Sequence, residues 1–122
     1  VQSQRKRQRT CHAGFAGALD DRLAQDIEVL DVSELTDLGD YFVMATGNSS
    51  TQVRALADEV EEKAKEAGFT FHHREGYNGE SWILIDFIDV IVHVFDKENR
   101  EFYALEHLWE DAKKVDIEGI IE

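Results

Sequence analysis

The sequence contains one cysteine, Cys11, among its 122 residues, so it cannot form an internal disulfide. It has no spacing of cysteines and histidines typical of a zinc site. It also lacks any run close to the roughly eighteen apolar residues of a membrane span, and its N-terminus has no apolar signal-peptide stretch. These absences predict a soluble, cytoplasmic protein without a membrane partner. They favour a bacterial protein, although removal of an organellar presequence would leave the same pattern.

Basic residues are scarce, because 13 lysines and arginines stand against 26 aspartates and glutamates, for a formal net charge of -13. Four of the basic residues lie within the first ten positions, where there is no acid. The acidic remainder repels phosphate backbones, so direct binding of nucleic acid by the domain is disfavoured. It attracts basic proteins, since complementary charge accelerates association. A second interpretation, that the acids only keep the domain soluble, stays open here.

The length fits a single domain that is large enough to bury a hydrophobic core. Residues 1–14 are mostly polar and basic without hydrophobic periodicity, and we interpret them as a disordered arm or a tag-like addition. Residues 15–112 carry the pattern of one α/β domain, and residues 113–122 are expected to form a weakly held tail.

Hydrophobic periodicity predicts eight elements in the order α-β-β-α-β-β-β-α. Helices are predicted at Phe15–Gln25, between Ser49 and Gly68, and at Glu98–Ala112; strands are predicted at Ile27–Val32, Tyr41–Thr46, Phe69–Arg74, Ser81–Asp86 and Val90–Phe95. Ser49 and Gln52 fit a capping box, and Gly68 fits a helix stop. Phe102, Leu105 and Trp109 are predicted to be buried by the last helix. The expected fold is an α/β (α+β) domain, with a mixed five-stranded sheet flanked by helices.

The first candidate site is the turn Gly47-Asn48-Ser49-Ser50 between a strand and a helix. Exposed amides and hydroxyls at a helix N-terminus can hold an anion. The turn lacks the lysine and glycine spacing of a P-loop and the three glycines of a dinucleotide turn. A turn followed by a helix cap explains every residue in it, so we favour that interpretation.

Carboxylates provide the second candidate, with Asp86 and Asp89 near a predicted hairpin turn and Asp96 at the end of the next strand. Paired carboxylates can hold Mg²⁺ for phosphoryl or nucleotidyl transfer. Residues three apart point to opposite faces of a regular strand, which weakens a metal site at Asp86 and Asp89. An acidic rim that contacts basic residues of a partner is the stronger hypothesis.

Histidines provide the third candidate, at positions His72, His73, His93 and His107. His93 lies among apolar strand residues, where a neutral, hydrogen-bonded imidazole is commoner than a catalytic base. No serine nucleophile accompanies it in a recognisable pattern, and Cys11 lies in an irregular stretch. His72 and His73 are adjacent on a strand and point opposite ways, which makes them a poor metal pair.

Trp82 is the strongest candidate for binding. On its predicted strand it shares one face with Leu84 and Asp86, while Ile83 and Ile85 share the other face. If the Trp82 face points outward, an apolar patch rimmed by acids is presented to a partner, as at interface hot spots. Trp82 as an ordinary core residue is the equally open alternative.

Three separated blocks occur in the order DYFVMATGNSS, DVIVHVF and REFYALEHLW. Together they make the sequence from about Leu23 to Trp109 resemble the ribosomal silencing factors, also called the Iojap family. The resemblance implies a nucleotidyltransferase-like topology without that class's catalytic acids, in a protein that is not an enzyme and uses no cofactor.

The resemblance also implies a function in repressing translation. Family members bind the large ribosomal subunit through its fourteenth ribosomal protein and sterically block subunit joining when nutrients are short. Many members pair as homodimers, so self-association is expected. The alternative function is a nucleotide-binding enzyme of the nucleotidyltransferase type, which would bind nucleotide with Mg²⁺ and depend on Asp86.

The family's contact surface lies on strands around a tryptophan, which corresponds here to Trp82. The partner-binding residues that the resemblance implies beside it are Ile83, Leu84, Asp86, Asp89, Tyr77 and His93. One departure concerns Ile88, which stands where many relatives have glycine. The turn between the last two strands is therefore expected to differ from theirs.

Overall fold

The computed structural model describes residues 14–36, 39–68, 73–77, 79–103 and 112–115. Three helices are present in these ranges: α1 at 14–21, α2 at Ser50–Glu66 and α3 at Lys97–Tyr103. The strands are β1 (Gln25–Asp31), β2 (Tyr41–Gly47), β3 (His73–Tyr77), β4 (Trp82–Asp86), β5 (Val90–Asp96) and β6 (Lys113–Lys114). None of the described helices is long and apolar enough to cross a membrane.

The strands form one mixed sheet in the order β3-β4-β5-β2-β1-β6. The central pair, β2 and β5, is parallel, and all other neighbours are antiparallel. The predicted mixed sheet is confirmed, but the prediction of five strands is wrong. The sixth strand comes from Lys113 and Lys114, which were assigned to the tail and which pair with Asp31 and Leu30 of β1.

The inner face of the sheet packs against α1 and α2. Strand alternation places the fully buried residues Val43, Ile83, Ile85, Val92 and Val94 on this face, where they meet an apolar stripe of α2 formed by Val53, Leu56, Ala57 and Val60. The Ser49 hydroxyl caps α2 by accepting the N–H of Gln52 at 3.2 Å. At the other end, Gly68 adopts a φ of 85°, as a glycine after a helix commonly does.

The outer face carries a second apolar cluster that includes Leu30, Phe42, Met44, Ile91 and Phe95, with Trp82, Leu84 and Ala112 packed against it. Helix α3 reaches this face through Arg100, whose guanidinium lies 5.7 Å from the centre of the Phe95 ring. One sheet therefore supports two clusters, because both sides of its central strands are buried.

Several predicted boundaries were wrong. The first helix ends at residue 21, because Leu23 adopts a φ of 64° and the predicted helical residue Gln25 begins β1. Strand β3 extends to Tyr77 through positions predicted as a loop. Phe102 is 80% exposed, because Arg100 faces the sheet and a residue two positions later points away from it.

Other predictions fall on residues outside the described ranges. These are the arm before residue 14, Cys11, His72, His107, Leu105 and Trp109, the part of the last helix that was predicted after Tyr103, and the tail after residue 115.

Candidate functional site

Strand β4 separates its side chains cleanly between the two faces of the sheet. Ile83 and Ile85 are fully buried on the inner face, whereas Trp82, Leu84 and Asp86 on the outer face are each partly exposed. The Trp82 face is thus the outer one, turned away from α1 and α2, where Trp82 packs beside the second apolar cluster and keeps part of its surface exposed. Ile83 is the exception among the predicted site residues, because its side chain lies in the core on the opposite face.

The neighbouring strand β3 continues this outer face. In the antiparallel register, Tyr77 pairs with Trp82, Glu75 with Leu84 and His73 with Asp86. Side chains that are paired across two strands lie on the same face, so these positions form one surface. We call it the Trp82 surface, and its members are His73, Glu75, Tyr77, Trp82, Leu84 and Asp86.

An aromatic pair forms the apolar centre of the Trp82 surface. The rings of Tyr77 and Trp82 have centroids 5.0 Å apart and are tilted by 43°. Tyr77 is 38% exposed and Trp82 is partly exposed, so the pair has one side against the protein and one toward solvent. Exposed aromatic rings with polar tips beside them are enriched at protein interfaces.

Glu75 links the polar groups along the edge of this surface. One of its carboxylate oxygens accepts the hydroxyl proton of Tyr77, and the other lies 2.6 Å from Nε2 of His73. The Tyr77 hydrogen bond and then the His73 hydrogen bond lower the pKa of Glu75 below its usual value. The same carboxylate raises the pKa of Tyr77, because it disfavours the phenolate. Glu75 therefore fixes the tyrosine hydroxyl while carrying a negative charge.

His93 lies beneath Trp82 and holds its indole. The indole N–H of Trp82 donates to Nδ1 of His93 at 3.3 Å, and the Phe42 ring packs edge-on against the imidazole with centroids 5.5 Å apart. Burial lowers the pKa of His93 to about 4, so the side chain is neutral at pH 7. Because Nδ1 accepts, the remaining proton is on Nε2. His93 is thus buried and supports Trp82 from below.

Two of the three aspartates proposed as ligands or rim residues accept hydrogen bonds from the local backbone. Asp86 accepts the N–H of Ile88 at 2.7 Å, and Asp96 accepts the N–H of Asn99 at 2.8 Å at the start of α3. Asp89 is only 8% exposed, so its place on an exposed acidic rim is not supported. Within the described part of the chain, no group of three metal-binding side chains comes together.

The turn from Gly47 to Ser50 is a helix cap. Besides the Ser49 cap, the N–H of Asn48 donates to the side-chain oxygen of Gln52, which closes the turn from the other side. Packing favours glycine at position 47, since a Cβ there would lie 3.1 Å from both the side chain and the backbone nitrogen of Val53. Of the amides and hydroxyls proposed to hold an anion, the Asn48 N–H and the Ser49 oxygen are engaged in the cap.

Ile88 occupies the first central position of the two-residue hairpin between β4 and β5. Its φ is 78°, and the N–H of Asp89 donates to the Phe87 carbonyl at 3.1 Å, which is the pattern of a γ-turn centred on a residue with positive φ. That position favours glycine and penalises a β-branched residue. The hairpin thus keeps the glycine conformation with an isoleucine whose side chain is 58% exposed.

Sequence inspection missed two functional features of this region. Glu75 was placed in a loop, and its role became visible only when β3 proved to extend to Tyr77. Arg100, at 7% exposure, was not considered, because the polar residues around it, Asn99 and Glu101, do not predict its burial. It donates to the Thr46 hydroxyl at 2.9 Å and lies 3.4 Å from Glu28.

The chain as a whole is similar to proteins of a known family. The family model described as "Ribosomal silencing factor during starvation" matches residues 5–122. The chain is 42% identical over 104 residues to the ribosomal silencing factor RsfS of Halalkalibacterium halodurans, covering 85% of this chain and 89% of that protein. It is 43% identical over 103 residues to RsfS of Bacillus subtilis, covering 84% and 87%.

The fold also matches a solved structure. A crystal structure of a Chromobacterium violaceum protein superimposes with a TM-score of 0.77 at 42% sequence identity, covering 81% of this chain and 83% of that one. The six-stranded mixed sheet with three described helices is therefore an arrangement shared with an experimentally determined relative.

Proposed function

The chain belongs to the ribosomal silencing factor family, whose members are non-catalytic ribosome-binding factors, and we propose that it represses translation by preventing subunit joining. In this proposal it binds the large subunit through the fourteenth ribosomal protein of that subunit. The bound domain then occupies space that the small subunit needs. The effect is steric and requires neither a cofactor nor a chemical step.

The observation that carries the proposal is the Trp82 surface. It combines a solvent-facing aromatic pair with two partly exposed carboxylates, Glu75 and Asp86, on the rigid outer face of a sheet. Aromatic anchors surrounded by polar groups contribute most of the binding free energy at many protein interfaces. We assign the contact to Tyr77, Trp82, Leu84 and Asp86, with His93 holding Trp82 in place.

The charge of the chain supports a basic protein partner over ribosomal RNA. A net charge of -13 opposes approach to a phosphate backbone and favours approach to a basic protein. Association with such a partner is expected to slow as salt is raised, because exposed charges are screened over about 10 Å at 0.1 M salt.

The direct test is a sucrose-gradient experiment with purified large and small ribosomal subunits at a magnesium concentration that permits joining. We expect the chain to comigrate with the large subunit and to reduce the peak of joined ribosomes in proportion to its concentration. Absence of the chain from the large-subunit fraction, with an unchanged peak of joined ribosomes, would refute the proposal.

A pair of variants then tests whether the Trp82 surface makes the contact. Trp82→Ala should weaken binding to the large subunit by about 2 kcal/mol or more, the usual size of a hot-spot truncation. The matched control is Leu35→Ala, which removes an apolar side chain that is 45% exposed beside β1, three strands away. Equal dissociation constants for the wild type and a folded Trp82→Ala variant would place the contact elsewhere.

A further inference from the structure

Strand β3 ends the sheet, with no described strand on its far side. The hydrogen bonds between β4 and β5 determine which backbone groups of β4 point toward β3. The N–H of Phe87 donates to Val90 and the N–H of Asp96 donates to Ser81, so alternate β4 residues bond to β5. The intervening residues, Trp82, Leu84 and Asp86, therefore direct their backbone groups toward β3.

The same alternation fixes the orientation of β3. Its residues His73, Glu75 and Tyr77 are paired with those three β4 residues, so their N–H and C=O groups are used within the sheet. The backbone groups of Arg74 and Gly76 consequently point away from β4. Two donors and two acceptors, spaced about 7 Å apart along the strand, lie in the pattern that an added strand needs.

Side chains at this edge leave room for an approaching backbone. Gly76 has no side chain, and Arg74 turns onto α2, where its guanidinium contacts Asp58 at 3.0 Å and also Glu61. The one positive charge next to the edge is thereby neutralised by two carboxylates. Edge strands that resist pairing commonly carry an outward lysine or a proline, and β3 has neither.

We propose that the open edge of β3 accepts an extended, basic segment of the protein partner as a seventh strand, an inference that rests on the proposed function. The main-chain groups of Arg74 and Gly76 pair with the added strand. Alternate side chains of that strand lie over the outer face beside Glu75 and Tyr77, or over the inner face beside Asp58 and Glu61.

The charges around the edge of β3 favour a basic segment over a second copy of this chain. Glu75 lies on the outer face beside this edge. On the inner face, two acids, Asp58 and Glu61, lie beside one base, Arg74. A lysine or arginine at alternate positions of the added strand therefore meets a carboxylate on either face. Arginine or lysine near Tyr77 also meets an aromatic ring. A second copy of this chain is a poorer occupant, because it would bring one highly acidic domain against another.

Amide hydrogen exchange tests the proposal on the unmodified chain. The isotopically labelled chain is mixed with the unlabelled fourteenth ribosomal protein of the large subunit, and exchange of individual amides is followed by NMR. We expect the amides of Arg74 and Gly76 to exchange at least tenfold more slowly in the complex. The amides of His73, Glu75 and Tyr77 should already be protected in the free chain, because they bond to β4.

A variant pair provides an independent measurement. Gly76→Pro removes an outward N–H while leaving the bonds to β4 intact, and it should weaken binding about tenfold. Gly76→Ala is the matched control, because it introduces the same Cβ contact, 3.0 Å from the Glu80 side chain, but keeps the N–H. Thermal unfolding of both variants establishes that they are folded.

The outcomes distinguish this proposal from the proposed function. Comigration with the large subunit, together with unchanged exchange at Arg74 and Gly76 and equal affinities of the two variants, would refute strand addition and leave the silencing function intact. Protection of these amides in the free chain that grows with concentration would identify a second copy as the occupant and also refute the proposal. Failure of the wild-type chain to bind the ribosomal protein would refute both.

Discussion

The two ends of the outer sheet face differ in whether their polar and aromatic side chains are buried or exposed. At the end formed by β1 and β6, which we call the closed end, Arg100 is buried against Thr46 and Phe95 and lies 3.4 Å from Glu28, which Lys114 also contacts at 3.2 Å. At the end formed by β3 and β4, which we call the open end, an aromatic pair faces solvent.

The difference indicates that the closed end contributes mainly to the stability of the fold and the open end mainly to binding. At the closed end, charged groups on three separate elements are paired with one another, and the central one, Arg100, is buried. At the open end, carboxylates and rings are positioned by short local bonds but remain accessible. Variants at the closed end should thus change unfolding, and variants at the open end should change binding.

The largest expected effect is that of Arg100→Met at the closed end. Removing the guanidinium leaves the Thr46 hydroxyl and the Asp26 carbonyl without a donor and leaves Glu28 with Lys114 alone. Breaking a buried ion pair by removing one partner costs about 4 kcal/mol, and urea unfolding measures this loss.

The double variant Arg100→Met with Glu28→Gln serves as the control for this prediction. Because it also removes the carboxylate charge that Arg100 no longer neutralises, it should recover part of the lost stability. Destabilisation of less than 1 kcal/mol by Arg100→Met would contradict the role assigned to the closed end. If a folded Arg100→Met variant lost ribosome binding, the assignment of stability to the closed end and binding to the open end would be wrong.

The second prediction concerns His93, which lies between the two ends and contacts Phe42 on one side and Trp82 on the other. Its pKa in the folded state is about 4, against about 6.5 in an unfolded chain, so the unfolded state binds more protons between these values. Stability is therefore full above pH 6.5 and declines as the pH falls toward 4, by about 3 kcal/mol in total.

Carboxylates also titrate in this range, so the measurement is a comparison with His93→Gln. Glutamine keeps an acceptor for the Trp82 indole but does not titrate near neutral pH. Urea unfolding at a series of pH values between 4 and 7 should give a steeper decline for the wild type. Parallel curves would show that His93 has the same pKa in the folded and unfolded states and would contradict its burial as a neutral group.

The third prediction is a gain in stability at the hairpin that links the outer face to the core. Ile88→Gly places the favoured residue at a φ of 78° and should stabilise the domain by about 1 kcal/mol. Ile88→Ala retains a Cβ and should gain less, which separates relief of backbone strain from loss of an exposed apolar side chain. A decrease in melting temperature for Ile88→Gly would mean that the isoleucine side chain contributes more than its conformation costs.

The core of the fold was predictable because its signals are local. One continuous segment contains the apolar stripe of α2, its Ser49 cap and its Gly68 stop. Apolar runs on either side of a short turn predict β4 and β5. Strand β6 was not predictable in this way. Lys113 and Lys114 have no apolar pattern, and they form a strand only because β1 offers them a partner.

The candidate site was predictable in part for the same reason. Alternation along β4 identified Trp82, Leu84 and Asp86 as one face, but it could not state which face is exposed. That required the helices to be placed, since their packing against Ile83 and Ile85 makes the Trp82 face the outer one. Asp89 was misplaced because a turn residue has no alternation from which its burial follows.

The smallest expected effect tests whether the open end is ordered by its own hydrogen bonds. Glu75→Gln replaces the carboxylate that raises the pKa of Tyr77, so that pKa should fall toward its ordinary value. Phenolate absorbance measures the change, with Tyr77→Phe identifying the signal among three tyrosines. Large-subunit binding should weaken only about twofold, because the ring keeps its contact with Trp82. An unchanged Tyr77 titration would show that Glu75 does not hold the hydroxyl, and the open end would then owe its order to ring packing alone.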